Sequence, residues 1–136
     1  WETAGAKPEI SSGTGTMKMI FGGRFLQHEF KGKAMGMPFE GMGFLGYNNV
    51  TGKLESFWLD SMGTGMMHGT GSVDASTKVL QDSGEFTCPM SEDKTREFRS
   101  EWRIVDRNTI VFTMHGQGME DDKEFKMLDM VFKRAD

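Results

Sequence analysis

An all-β fold is predicted for this chain: residues 1–136 read as one domain, a single antiparallel β-barrel of about eight to ten strands with little helix. Three observations carry that expectation. Apolar residues alternate with polar ones at every second position, and no segment longer than about ten residues holds the i, i+3, i+4 spacing of a helix face. The connectors between alternating segments are short and rich in Asn, Asp and Gly. The 18 glycines are interleaved with Phe, Met, Trp and Leu instead of gathered in a linker, and prolines number three. Glycine within strands suits a sheet that must bend sharply around a small barrel.

Taken in order, the alternation predicts strands at roughly 14–21, 24–32, 40–47, 53–60, 65–73, 78–86, 95–105, 109–115 and 123–133. The clearest is the seventh, in which Phe98, Ser100, Trp102 and Ile104 share one face and Glu97, Arg99, Glu101 and Arg103 the other. Trp102 is therefore expected to point inward and Arg103 outward. The connectors Asn48-Asn49-Val50-Thr51-Gly52, Asp74-Ala75-Ser76-Thr77, Asp106-Arg107-Asn108 and Gly116-Gln117-Gly118 read as hairpin turns. Short turns make consecutive strands antiparallel neighbours. So many strands leave two exposed edges unless the sheet closes or splits into a sandwich. Gly41, Gly43, Gly69 and Gly71, all within predicted strands, favour closure. Residues 1–12, with Pro8 and little alternation, read as irregular beyond a short opening strand or plug.

Sixteen Lys and Arg against 20 Asp and Glu give a formal net charge of −4 with the basic residues scattered, which argues against nucleic acid as a partner. No apolar run reaches the ~18 residues of a membrane span. Trp1 opens the chain without the basic and apolar regions of a leader, so any targeting segment is expected to have been removed or never present. The one cysteine, Cys88, stands beside Pro89 and cannot form an internal disulfide. A free thiol favours a reducing compartment, so a cytoplasmic location is expected, with the periplasm left open. Thirteen methionines suit an adaptable interior lining.

The segment Gly22-Gly23-Arg24-Phe25-Leu26, followed by Pro38-Phe39-Glu40-Gly41, Gly46-Tyr47-Asn48, Gly52-Lys53 and Trp58-Leu59-Asp60-Ser61, resembles the bacterial family designated domain of unknown function 1579. The resemblance runs from Trp1-Glu2 to Lys123-Glu124-Phe125-Lys126. It implies a lipocalin-like, calycin-type barrel and supplies no catalytic residues. The shared positions are mostly Gly, Pro and aromatic, residue types that specify bends and packing. Where the family reads Tyr-Asp, this chain reads Tyr47-Asn48, and Asn serves the same turn.

Residues able to carry chemistry are few. His28, His68 and His115 lie in separate predicted strands with no metal-ligand spacing, so no metal is assigned. Small barrels of this kind can hold haem, for which His115 or His68 would be the axial ligand, but that is analogy from fold and no cofactor is assigned. Ser61 lacks a nucleophile elbow and a partner, because Asp60 points to the opposite face. Gly63-Thr64-Gly65 and Gly69-Thr70-Gly71 lack the ending of a phosphate loop, which argues against nucleotide binding.

The constellation that stands out is a mixed face formed by Trp58 and Asp60 with Met66 and His68, joined by Met42 and Phe44 on the preceding strand. An apolar wall bearing a few polar groups is the usual make-up of a small-molecule pocket. The expected function is binding of a hydrophobic or amphipathic small molecule inside the barrel. Phe98, Trp102 and Met114 complete the lining, and Asp60 or His68 orients the ligand. Two alternatives stand beside it: an isomerase or hydrolase using Asp60 with His68, and a packed barrel that works through its outer surface as an interaction domain. The sequence leaves the oligomeric state open. An open cavity of about 300 Å³ or more would favour the ligand reading, and a closed interior the interaction reading.

Overall fold

The computed structural model describes residues 6–87, 95–118 and 123–135. Nine strands take up 71% of them, and none of the described residues is helical. In chain order the strands are β1 (Thr14–Ile20), β2 (Phe25–Ala34), β3 (Met37–Asn48), β4 (Lys53–Asp60), β5 (Met67–Asp74), β6 (Val79–Thr87), β7 (Thr95–Asp106), β8 (Thr109–Gln117) and β9 (Glu124–Lys133). They form one sheet in sequence order, each strand antiparallel to the next. All nine strands expected from alternation are present, displaced by at most a few residues.

Local chemistry sets the turns. Asn48 Oδ1 accepts the amides of Val50 and Thr51. Asp74 Oδ1 does the same for Ser76 and Thr77, and Asp106 Oδ1 for Asn108. The β2–β3 connection is tighter than the sequence suggested. Met35 and Gly36 both adopt positive φ, 50° and 74°, the signature of a two-residue hairpin whose twist matches that of its strands. β3 therefore begins at Met37. Gly116 and Gln117, expected in a turn, belong to β8 or its end, and residues 119–122 lie outside those described, as does Cys88.

The sheet curls until its two halves meet. His28 on β2 and Trp102 on β7 bring their rings to 5.1 Å, although four strands separate them in the sheet. Among the described residues β1 and β9 exchange no ladder, so the architecture is a curled half-barrel, and the expected closure is not seen. At the seam the edges meet by packing: a Cβ placed on Gly15 would lie 3.1 Å from the Phe132 ring. The core sits on the concave face, where Leu45, Leu54 and Trp102 are buried and Met17, Leu26, Leu80, Ile110, Phe112 and Phe132 pack around them. Trp102 points inward and Arg103 outward, as period two requires.

Candidate functional site on the concave face

The register decides which side chains can cooperate. His28 on β2 lies opposite Gly43 on β3, Gly43 opposite Trp58 on β4, and Trp58 opposite Met67 on β5. This row faces inward. A Cβ on Gly43 would overlap the His28 imidazole, so the missing side chain is what lets the ring lie flat across β3. His28 stacks on Trp58 at 5.4 Å and 17° and meets Trp102 edge-on. Trp58 stacks in turn on Phe39 at 6.5 Å, and Phe39 meets Phe30 at 5.9 Å. At the other end Trp102 contacts Phe112 at 4.4 Å and Phe132 at 6.0 Å. A continuous aromatic ladder thus runs through the interior from Phe30 to Phe132.

His28 is the polar member of that ladder. Only 8% of it is exposed, and its imidazole forms no hydrogen bond with any described residue. Burial among apolar rings disfavours the imidazolium and lowers its pKa from 6.5 to about 4. The ring is therefore neutral at pH 7. Because the folded-state pKa is depressed, the unfolded chain binds the extra proton first. The associated stability is present above pH 6.5 and is lost as the pH falls toward 4. At about 1.4 kcal/mol per pH unit the loss is about 3 kcal/mol. Urea unfolding of the protein and of His28→Phe at pH 7 and pH 4 should show this pH-dependent difference. Identical losses in the two would mean that His28 is not desolvated.

One layer along, a polar cluster is embedded in the same face. Asp82 on β6 accepts hydrogen bonds from the hydroxyls of Ser56 on β4 and Ser100 on β7. All three are at most 9% exposed. The Ser56 bond passes over β5, and it can do so because Gly69 lies between: a Cβ there would stand 2.6 Å from Asp82 Oδ2 and 2.7 Å from Ser56 Oγ. No cation pairs with Asp82 among the described residues, so its charge rests on the two hydroxyls.

The ladder reaches the surface at the seam. A groove of about 200 Å³ opens there, walled by Phe30 and by Leu128 and Met130 of β9, and bordered by Pro8, Ile10 and Ser11. Ser11 Oγ donates to the Lys33 carbonyl at 2.9 Å, and Glu9 Oε1 accepts the Gly36 amide at 3.1 Å. These bonds hold the N-terminal segment beside the β2–β3 hairpin. A larger recess of about 350 Å³ lies at the ends of β8 and β9, lined by Asn108, Thr109, Lys133, Arg134 and Ala135. No aromatic or large aliphatic side chain lines it.

The structure separates the residues expected to form one pocket. Trp58, Asp60, Phe98, Trp102 and Met114 face inward. Met42 and Phe44 lie opposite Leu59 and Phe57 and face outward, as does His68, which stacks on Phe57 at 4.6 Å. Met66 precedes β5 and is 68% exposed. The physical reason is a register offset of one residue: Met67, not Met66 or His68, is in phase with Trp58, and a one-residue slip exchanges the faces of a strand. Asp60 and His68 are thus on opposite sides of the sheet, and the pairing that the enzyme alternative required does not form. Asp60 instead accepts the Trp58 indole N–H at 2.7 Å and the Met62 amide at 2.9 Å, fixing the Trp58 ring and ending the strand.

His115 lies opposite Arg99 on the convex face, so neither histidine named for haem lines the interior. No three His, Cys, Asp or Glu side chains converge into a metal site among the described residues. His28, Ser56 and Asp82 were missed as site residues. Their signal was available: each is a polar side chain in phase with the apolar positions of its strand.

No helix is long and apolar enough to cross a membrane among the described residues. No curated protein matches the chain. The model of one family, described as "Protein of unknown function (DUF1579)", matches residues 1–134, nearly the whole sequence carried by the fold and ladder above, and the chain belongs to that family.

Proposed function

We propose that the chain is a binding module for a hydrophobic or amphipathic small molecule that enters at the seam, with its apolar part in the groove walled by Phe30, Leu128 and Met130. The observation that carries this reading is the aromatic ladder, which begins at the groove and contains the largely buried, neutral imidazole of His28. His28, the polar member of the ladder, is the group that a ligand reaching past Phe39 and Trp58 would engage. The groove, at about 200 Å³, falls short of the roughly 300 Å³ that would favour a ligand cavity, so it would hold only the end of a ligand such as a short alkyl chain. The charged residues on its border, Glu9 and Asp129, are both acidic, which favours a neutral polar end over an anionic one.

The test uses 1-octanol as probe. Native mass spectrometry of freshly purified protein should reveal a non-covalent adduct, and 1-octanol titrated into stripped protein should change tryptophan fluorescence saturably. Met130→Arg, which places a bulky cation in the groove wall, should weaken that response at least tenfold while the Tm stays within a few degrees. A protein that carries no adduct and shows no saturable response up to the solubility limit of 1-octanol would refute the reading.

A further inference from the structure

In a meander of antiparallel strands every second connection lies at the same end of the sheet. The β1–β2, β3–β4, β5–β6 and β7–β8 turns and the end of β9 therefore line one rim. Basic residues that are scattered along the sequence collect there. Arg24, Lys78 and Arg107 stand in the turns, Lys53 opens β4, Lys133 closes β9 and Arg134 follows it. All six are exposed, and none forms an ion pair with a described carboxylate. Against them, among the described residues of these turns and strand ends, stand Asp74 and Asp106, each turned onto the amides of its own turn; Asp136 lies outside the described residues. Within two residues of the strand ends the further charges are Lys18 and Glu55, which offset each other. The described rim thus carries a marked positive excess on a chain whose formal net charge is −4.

The crests of the same rim are apolar. Phe21 in the β1–β2 turn and Val50 in the β3–β4 turn are 73% and 95% exposed, and Val105 beside the β7–β8 turn is 52% exposed. Phe21 holds a φ of 51°, a left-handed conformation that strains a bulky side chain and that Gly or Asn would take up readily. The recess of about 350 Å³ at the ends of β8 and β9 opens on this rim with Lys133 and Arg134 in its wall, which gives room for an anionic headgroup. Cations around protruding apolar side chains match a bilayer surface, anionic at its headgroups and apolar beneath them. A second copy would set like charges against each other, and a nucleic-acid backbone offers no apolar layer to take Phe21 and Val50. We infer that this rim docks on an anionic lipid surface, with Phe21 and Val50 entering the interface and the six cations facing the headgroups. This inference is independent of the concave site.

The probes are lipid vesicles sedimented with the full chain, one set of phosphatidylcholine alone and one with about 30% phosphatidylserine. At about 0.1 M salt the anionic vesicles are expected to bind at least tenfold more tightly than the neutral ones, and about 0.5 M salt should remove most of that difference. Arg107→Gln with Arg134→Gln, which leaves the backbone bond from Arg134 to Asn108 in place, should weaken binding to the anionic vesicles about tenfold. Phe21→Gly suits the positive φ, so it should weaken binding severalfold without lowering the Tm, which provides a second readout if the arginine variant fails to fold. Absence of binding to the anionic vesicles, equal binding to both sets, or undiminished binding by either folded variant would each overturn the inference. So would a short DNA duplex that displaces the chain from the vesicles and is bound as tightly by Phe21→Gly, since a polyanion would then be the occupant.

Discussion

Replacing Trp102 by alanine is expected to cost about 3–5 kcal/mol of stability, the usual range for truncating a large buried aromatic. Trp102 is 8% exposed, and it joins the two halves of the curled sheet through His28 on one side and Phe112 and Phe132 on the other. Its removal therefore opens a cavity at the place where strands distant in sequence meet. The neighbouring Arg103→Ala is expected to cost at most a few tenths of a kcal/mol. Arg103 points to solvent, and its ion pair with Glu101 is a surface pair. Chemical denaturation of both variants checks the contrast. Comparable losses would show that the faces of β7 are reversed or that the sheet does not curl.

The second large effect concerns Asp82. Ser56→Ala together with Ser100→Ala removes both hydroxyl donors and leaves a carboxylate buried without partners. Hydrogen bonds to a charged group are worth roughly 1.5–3 kcal/mol each, so the double variant is expected to lose roughly 3–6 kcal/mol. Changing Asp82 to Leu in the same background removes the stranded charge, and it should restore at least half of that loss, since an apolar trio leaves nothing unsatisfied. If the triple variant is no more stable than the double, the carboxylate was not desolvated and the cluster is not part of the interior.

The alternation made the strands legible because it is a local property: Phe98, Ser100, Trp102 and Ile104 share a face whatever lies beside them. It could not set the pairing of β4 with β5. That pairing depends on how many residues the Gly63-Thr64-Gly65 connection consumes, and glycine permits several geometries. The pairing with β4 is one residue out of the expected phase, since Met67, and not Met66 or His68, stands opposite Trp58. That single offset moved Met66 and His68 away from Trp58 and removed the Asp60–His68 pair. Met42 and Phe44 failed for a related reason. Both faces of β3 carry large apolar side chains, so alternation alone does not say which face is buried. His28 and Asp82 were readable as polar residues in phase with Leu26 and Phe30 and with Leu80 and Phe86. What the sequence could not supply is that the curl carries His28 to Trp102, a contact between strands that are not neighbours.

The central claim is that the ligand site is the seam groove leading to the aromatic ladder. The most direct measurement is the set of intermolecular nuclear Overhauser effects between 1-octanol and the labelled protein. The account predicts contacts from the alkyl protons to the Phe30 ring and to the methyl groups of Leu128 and Met130, with perturbation of the Trp58 indole and the His28 ring behind them. Contacts confined to Phe57 and Leu59 on the convex face, or to Thr109 and Ala135 at the end of the β8–β9 hairpin, would contradict it.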